Sequence, residues 1–346
     1  MSVFIFVNFR PIPPMNVIRI NTDWYCYTNY ALDLRHLEYS SFRYLIFGPG
    51  FPLAIALYPG KITPTVSARV SATSFLISLV LVYLLLLPRG RKAATLAAAL
   101  WTLYGMFLSD IVLYPWSEAT FICYALAALV SRRALSKGVW AALATLTRPE
   151  GYFLFAGLAA FAKGARSRLL LCAAFITAMS PYLIWLRTQT GYWSLVPPGK
   201  ANNAAIAPYV AAGVDIREVA QLGTPPPPPT APRVARILGG ARTAEAIRLM
   251  TPWARVKKNL SQASPYFAQS LFIVIPGILG LLAMLHRREI PIAFLCLAPT
   301  GLTWLIFWWW GNYRFAAPVL LSLCITAGGL FAGSPSKPAA PRLEGR

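Results

Sequence analysis

The sequence predicts an all-α fold, a polytopic transmembrane helical bundle with extracytoplasmic loops, and three observations predict it. Of 346 residues, 57% are hydrophobic and only 12% are charged, whereas a soluble domain carries about 25% charged residues. The apolar residues come in long unbroken runs instead of alternating with polar ones, which is the pattern of a chain that faces hydrocarbon. The basic residues gather in short clusters between those runs, as they do where cytoplasmic loops orient a membrane protein.

Spanning segments are predicted over residues 66–87, 93–108, 169–186, 267–285, 290–310 and 313–331. A span needs roughly 20 apolar residues, and fewer suffice where the bilayer thins. Another segment, 111–130, is interrupted by Pro115 and Glu118. Segment 136–163 is apolar at both ends and broken by Arg148, Pro149, Glu150 and Gly151. Proline cannot continue a helix cleanly and disfavours helix at the residue before it. The reading is a broken pair of short helices that meet at residues 148–151.

Basic clusters at 89–92, 132–137, 163–168, 286–288 and 337–346 are all expected on the cytoplasmic side. Segment 136–163 has such a cluster at each end, so it is a hairpin with residues 148–151 at its far tip. The chain is then a single membrane domain over 1–346. A first extracytoplasmic loop covers 1–65, and its apolar residues 1–9, too short to span, read as the remnant of a first helix or as a short anchor lying on the outer surface. Transmembrane helices fill 66–187 and 266–333, an extracytoplasmic Pro-rich loop covers 188–265, and 334–346 is a cytoplasmic tail. That long loop is itself basic, but long loops translocate largely regardless of charge. Its proline run at 225–229 reads as a stiff polyproline II spacer with little apolar surface to bury, mobile in the absence of a ligand.

The net charge of +21, from 32 Lys and Arg against 11 Asp and Glu, could suit nucleic acid. No base-reading motif accompanies it, and the topology accounts for the clusters. Of the five cysteines, Cys123, Cys172, Cys296 and Cys324 lie inside apolar runs and read as small hydrophobes. Cys26 stands alone in the first loop. The two histidines, His36 and His286, make no metal pair. There is neither a GxSxG nucleophile turn nor a phosphate-binding glycine loop. Residues 308–310, three tryptophans, read as an interfacial aromatic belt.

The acids carry the functional argument. In this topology Asp23, Asp33, Glu38, Asp110, Glu118, Glu150, Asp215, Glu218 and Glu245 fall outside, and only Glu289 and Glu344 fall inside. Asp110, Glu118, Glu150, Arg148 and Arg314 lie at or within the ends of apolar runs. Charges there are costly, so they face a watery cavity or pair with one another. An ion pair of Arg148 with Glu150 or Glu118 is the plain account of any one of them. Five converging from separate spans point to a shared polar site. Arg148, Lys200 and Arg314 could hold a phosphate, arginine doing so with a planar fork that keeps its charge under partial burial. The acids could act as a general base, or could hold a divalent metal such as Mg or Mn through oxygen ligands.

Four short pieces resemble a known group. Asp23-Trp24-Tyr25 with Tyr30-Ala31-Leu32, followed by Phe47-Gly48-Pro49-Gly50-Phe51-Pro52-Leu53, is similar to that group's first outer loop. Pro115-Trp116-Ser117-Glu118 is similar to its Ser-Glu at an outer helix start. Leu146-Thr147-Arg148-Pro149-Glu150-Gly151 is the most specific piece, and Tyr313-Arg314-Phe315-Ala316-Ala317-Pro318 resembles the start of its last span. Gly191-Tyr192-Trp193-Ser194, ahead of Lys200, adds a weaker likeness. Together they resemble the GT-C superfamily of polytopic glycosyltransferases, in particular the protein O-mannosyltransferase and aminoarabinose transferase-like branch. The resemblance implies a polyprenyl- or dolichyl-phosphate sugar as donor and Asp23 as the catalytic base. Transfer to an acceptor hydroxyl of a glycan, lipid or protein would proceed with inversion outside the cytoplasm. Arg148, Lys200 and Arg314 would bind the donor phosphate, with Asp110, Glu118 and Glu150 as supporting polar groups. The rival readings are a lipid-linked sugar transporter or flippase and a non-catalytic membrane assembly subunit.

Overall fold

Helices form along the uninterrupted apolar runs, and proline, glycine and charge set many of their ends. The computed structural model describes residues 23–37, 47–107, 117–190, 193–195, 208–209, 212–214, 216–222, 227–287, 289, 292–307 and 317–331. The chain begins with α1 (Asp23–His36) and α2 (Gly50–Ala56). Helix α3 (Pro64–Leu86) starts on a proline, where the missing N–H costs no hydrogen bond. Its 23 residues make a rod about 35 Å long. A 3-10 turn (Leu87–Arg89) and Gly90, at φ 113°, reverse the chain into α4 (Arg91–Phe107). Then follow α5 (Ser117–Val130), α6 (Ala134–Thr147), α7 (Gly151–Ala160) and α8 (Ala165–Thr190), the last with Pro181 inside it. Four further helices are α9 (Ile216–Gln221), α10 (Pro232–Leu238), α11 (Gly240–Arg248) and α12 (Pro252–Gln269). The chain closes with α13 (Leu271–His286), α14 (Ile292–Phe307) and α15 (Ala317–Ala327), which tightens into a 3-10 turn (Gly328–Phe331). Among the described residues there is no strand, and the all-α expectation holds.

Among the described residues two helices are long and apolar enough to cross a membrane, Pro64–Arg89 and Ala165–Thr188. Ser117–Val130, Gly151–Ala160, Leu271–His286 and Ala317–Phe331 are apolar but shorter. The bundle turns large aliphatic side chains outward: Ile77, Val80 and Leu84 on α3, Leu169, Ile176 and Ile184 on α8, and Ile275, Leu279 and Leu282 on α13.

Helix ends sort into two groups. At one end, Thr28 of α1 and Ser67 of α3 share a hydrogen bond of 3.1 Å, and the Tyr27 hydroxyl donates to Ser117 of α5 at 3.4 Å. At the other, Gly328 packs against the Ala93 carbonyl and Leu86, while Arg89 approaches the Met284 sulfur. Helices α13 and α15 run parallel, with Gly277 against Leu323 and Gly280 against Thr326; small residues let the backbones close in. Helix α15 therefore starts facing the Glu118 end and finishes at the end that carries Arg89, Arg91 and Lys92. Gly138 of α6 packs on Leu171 and Phe175 of α8, which brings the basic residues flanking the α6–α7 hairpin to that second end as well.

Inside, α3 presents Ser67, Ser71, Ser74 and Ser78 as one buried stripe. Ser74 bonds Thr120 of α5 at 3.0 Å, and the Trp101 indole of α4 donates to Ser78 at 2.8 Å. These hydrogen bonds tie α3 to α5 and α4.

In the chain between α8 and α13, Pro225 and Pro226 of the expected spacer lie outside the described residues. Tyr209, Val214, Val219, Leu222, Val234 and Leu238 form a small core of their own. Pro229 is buried, the Pro228 carbonyl accepts from the Ala231 amide at 2.9 Å, and the Pro227 carbonyl accepts from the Tyr209 hydroxyl. Of the described prolines in the run, Pro227 is half-buried and Pro228 exposed. The sparse apolar residues of the segment, spread over several turns of chain, suffice once α9, α10 and α11 fold together.

Candidate functional site

The turn between α6 and α7 is where the polar groups meet. Helix α6 stops at Thr147 because Pro149 disfavours helical geometry at the residue before it; Arg148 is accordingly extended, at φ −148° and ψ 134°. Glu150 is the last residue before α7, and Glu118 lies in the first turn of α5. Acids at helix starts are favoured by the macrodipole.

Arg148 donates through Nη1 to Glu118 at 2.6 Å and through Nη2 to Glu150 at 2.8 Å. All three side chains are nearly closed to solvent, with exposures of 11%, 5% and 8% for Arg148, Glu118 and Glu150. Burial by itself would favour loss of the Arg148 charge, but Glu150 and Glu118 hold it on, so its pKa moves upward. The Tyr27 oxygen adds to the same field. The arginine thus makes both ion pairs that the sequence offered as alternatives.

Close backbone approach fixes this turn. Gly48 lies on the Leu146 carbonyl and Gly50 on Thr147, so a methyl group at either position would overlap the end of α6. Gly151 sits against the backbone of Thr145, where a Cβ would come within 2.5 Å of the amide nitrogen. The aromatic rings of Phe47 and Phe51 pack on Tyr27 with centroids 4.8 and 5.0 Å away. Three of the four sequence pieces that suggested a family therefore converge on one place: the α1–α2 region, the start of α5 and the α6–α7 turn.

Among the predicted site residues the structure brings together Glu118, Arg148 and Glu150. Asp23 opens α1 one turn before Tyr27, which places its backbone on the same end of the bundle. Asp110, Lys200 and Arg314 lie outside the described residues, as does the side chain of Asp23. No three His, Cys, Asp or Glu side chains gather as a metal site among the described residues, and one oxygen each of Glu118 and Glu150 is committed to Arg148. Sequence reasoning missed Tyr27 and Ser117 as members of this neighbourhood. The signal was present in the Tyr-rich stretch that carries Tyr27 and in the serine preceding Glu118. Compared with protein-family models, curated proteins and solved structures, the chain matches none.

Proposed function

We propose that the chain is a multi-pass membrane glycosyltransferase of GT-C-like architecture that moves a sugar from a polyprenyl- or dolichyl-phosphate donor to an acceptor hydroxyl outside the cytoplasm. The observation that carries the reading is the buried Glu118–Arg148–Glu150 group at the bundle end opposite the basic clusters. Buried charges of this kind are costly and mark function more often than they mark stability. In this reading Asp23 takes the proton of the acceptor, whose oxygen attacks the anomeric carbon as the lipid phosphate leaves. Arg148 holds the two glutamates in register beside the reacting groups. With both of its terminal nitrogens engaged by carboxylates, the direct phosphate contacts fall to Lys200 and Arg314. Preorganised cations contribute a few kcal/mol to such a step in a dry site.

The test is transfer of radiolabelled sugar from a polyprenyl-phosphate donor in proteoliposomes. A positioned base contributes about 10²–10⁴-fold to rate, so Asp23→Asn should lose that much transfer and keep donor binding. Normal transfer by a folded Asp23→Asn protein would remove Asp23 from the mechanism. Protein-dependent movement of the lipid-linked sugar between leaflets, with no transfer by the wild type, would favour a transporter.

A further inference from the structure

Helix α1 is tied to three neighbours. Near its end, the Arg35 guanidinium donates to the Ala56 carbonyl through Nε at 3.2 Å and through Nη2 at 2.8 Å, and it also reaches the Tyr58 and Gly60 carbonyls. These carbonyls close α2 and the turn after it, and helix ends leave such groups in need of outside donors. Nearer its start, Thr28 bonds Ser67 of α3 at 3.1 Å, and the Tyr27 hydroxyl donates to Ser117, the first residue of α5, at 3.4 Å.

Tyr27 differs from the other two anchors in what it touches. Arg35 and Thr28 fasten α1 to α2 and α3. Tyr27 fastens it to the residue next to Glu118, and its oxygen adds to the field on Arg148. The ring is buried against Phe47 and Phe51. A phenylalanine would fill that aromatic cluster without carrying a hydroxyl into it, and burying a hydroxyl has a cost that its bonds must offset. At 3.4 Å the bond to Ser117 is long for two hydroxyls; it supplies direction more than strength. Asp23 and Tyr27 stand four residues apart in one continuous helix, so about 6 Å of rise separates their backbones. Whatever fixes Tyr27 against α5 fixes the start of α1 relative to the Glu118–Arg148–Glu150 group.

We propose that Tyr27 is a positioning residue for the transfer reaction: its hydroxyl holds the start of α1, and with it Asp23, in register with the start of α5 beside Arg148. The proposal rests on the reading of Asp23 as the base. The phenol keeps its proton throughout and takes no part in the bond changes.

The full chain in proteoliposomes, with a polyprenyl-phosphate sugar as donor, tests this. Wild-type transfer is scored first, and its absence overturns the transfer reading and this assignment together. Undiminished transfer by Asp23→Asn overturns the assignment and leaves transfer itself standing. Tyr27→Phe keeps the ring and removes the hydroxyl. It should lower kcat roughly tenfold or more, since a small misplacement of reacting groups can cost about 10²-fold, and leave the donor KM within about twofold. Ser117→Ala removes the acceptor of the same bond and should match it, and the double variant should lose no more than either single change. The decisive measurement is made in the Asp23→Asn background. A residue that acts through Asp23 has nothing left to position there, so adding Tyr27→Phe should change the residual transfer by less than about twofold. Equal losses in the two backgrounds overturn the proposal and mark Tyr27 as a structural residue. So does wild-type turnover by Tyr27→Phe, or a Ser117→Ala protein that is unaffected where Tyr27→Phe is impaired.

Discussion

Arg148 and Arg255 sit in one chain under opposite electrostatic conditions. Arg148 is nearly closed to solvent with a carboxylate on each terminal nitrogen; Arg255 is half-buried with no acid lowering its cost. The first is locked into a turn built by glycine contacts, and the second lies on a helix whose neighbours are mostly cations. The difference teaches that burial alone does not assign a role to an arginine. One guanidinium is held by two carboxylates, and the other has no acceptor for its Nε among the described residues.

Several substitutions would break or sharpen that contrast. Arg148→Met leaves two carboxylates in a closed site, and breaking a buried pair in this way costs about 3–5 kcal/mol. Thermal unfolding in detergent should show the loss, and the triple change Glu118→Gln, Arg148→Met, Glu150→Gln should recover most of it. A single Arg148→Met protein as stable as wild type would mean that the triad is water-exposed. Gly151→Ala forces a methyl group onto the Thr145 backbone and should cost about 1–3 kcal/mol by the same measurement. In the outer cluster, Arg242 pairs with Glu218 at 2.9 Å, but both are largely exposed. Arg242→Ala should therefore change stability by about 0.2–1 kcal/mol and lose even that in high salt. Smallest of all, Arg255→Met should leave detergent stability within about 0.5 kcal/mol of wild type or raise it slightly, because it removes a desolvated charge that has no partner to orphan.

Much of the bundle was legible in the sequence because its signals are local. Apolar runs gave α3, α4, α8, α13, α14 and α15 to within a few residues, and Arg148-Pro149-Glu150-Gly151 gave the break between α6 and α7. Of the segment expected at 111–130, residues 117–130 form α5 with Glu118 in its first turn, and Pro115 lies outside the described residues. Helix α1 was read as loop because Asp23–His36 has neither a long apolar run nor a strong polar face. It exists by burying Tyr27, Tyr30 and Ala31 against α2 and α3, a tertiary effect that no window of sequence displays. The same holds for the small core around Tyr209 and Val234. In the site, the pairing of Arg148 was readable as a choice between Glu118 and Glu150. That it takes both follows from the way α5 and α7 start side by side, which depends on packing far from either residue.

Helix α15 is buried along almost its whole length, from Ala317 through Leu321, Cys324 and Ile325 to Ala327, among α4, α13 and α14. On the ribosome, α4 and α13 emerge before it. The earlier helices must wait with an open slot between them, its walls lined by Gly277 and Gly280, until the later segment arrives. A nascent chain stalled short of Ala317 would leave that slot open, with Gly277 and Gly280 uncovered.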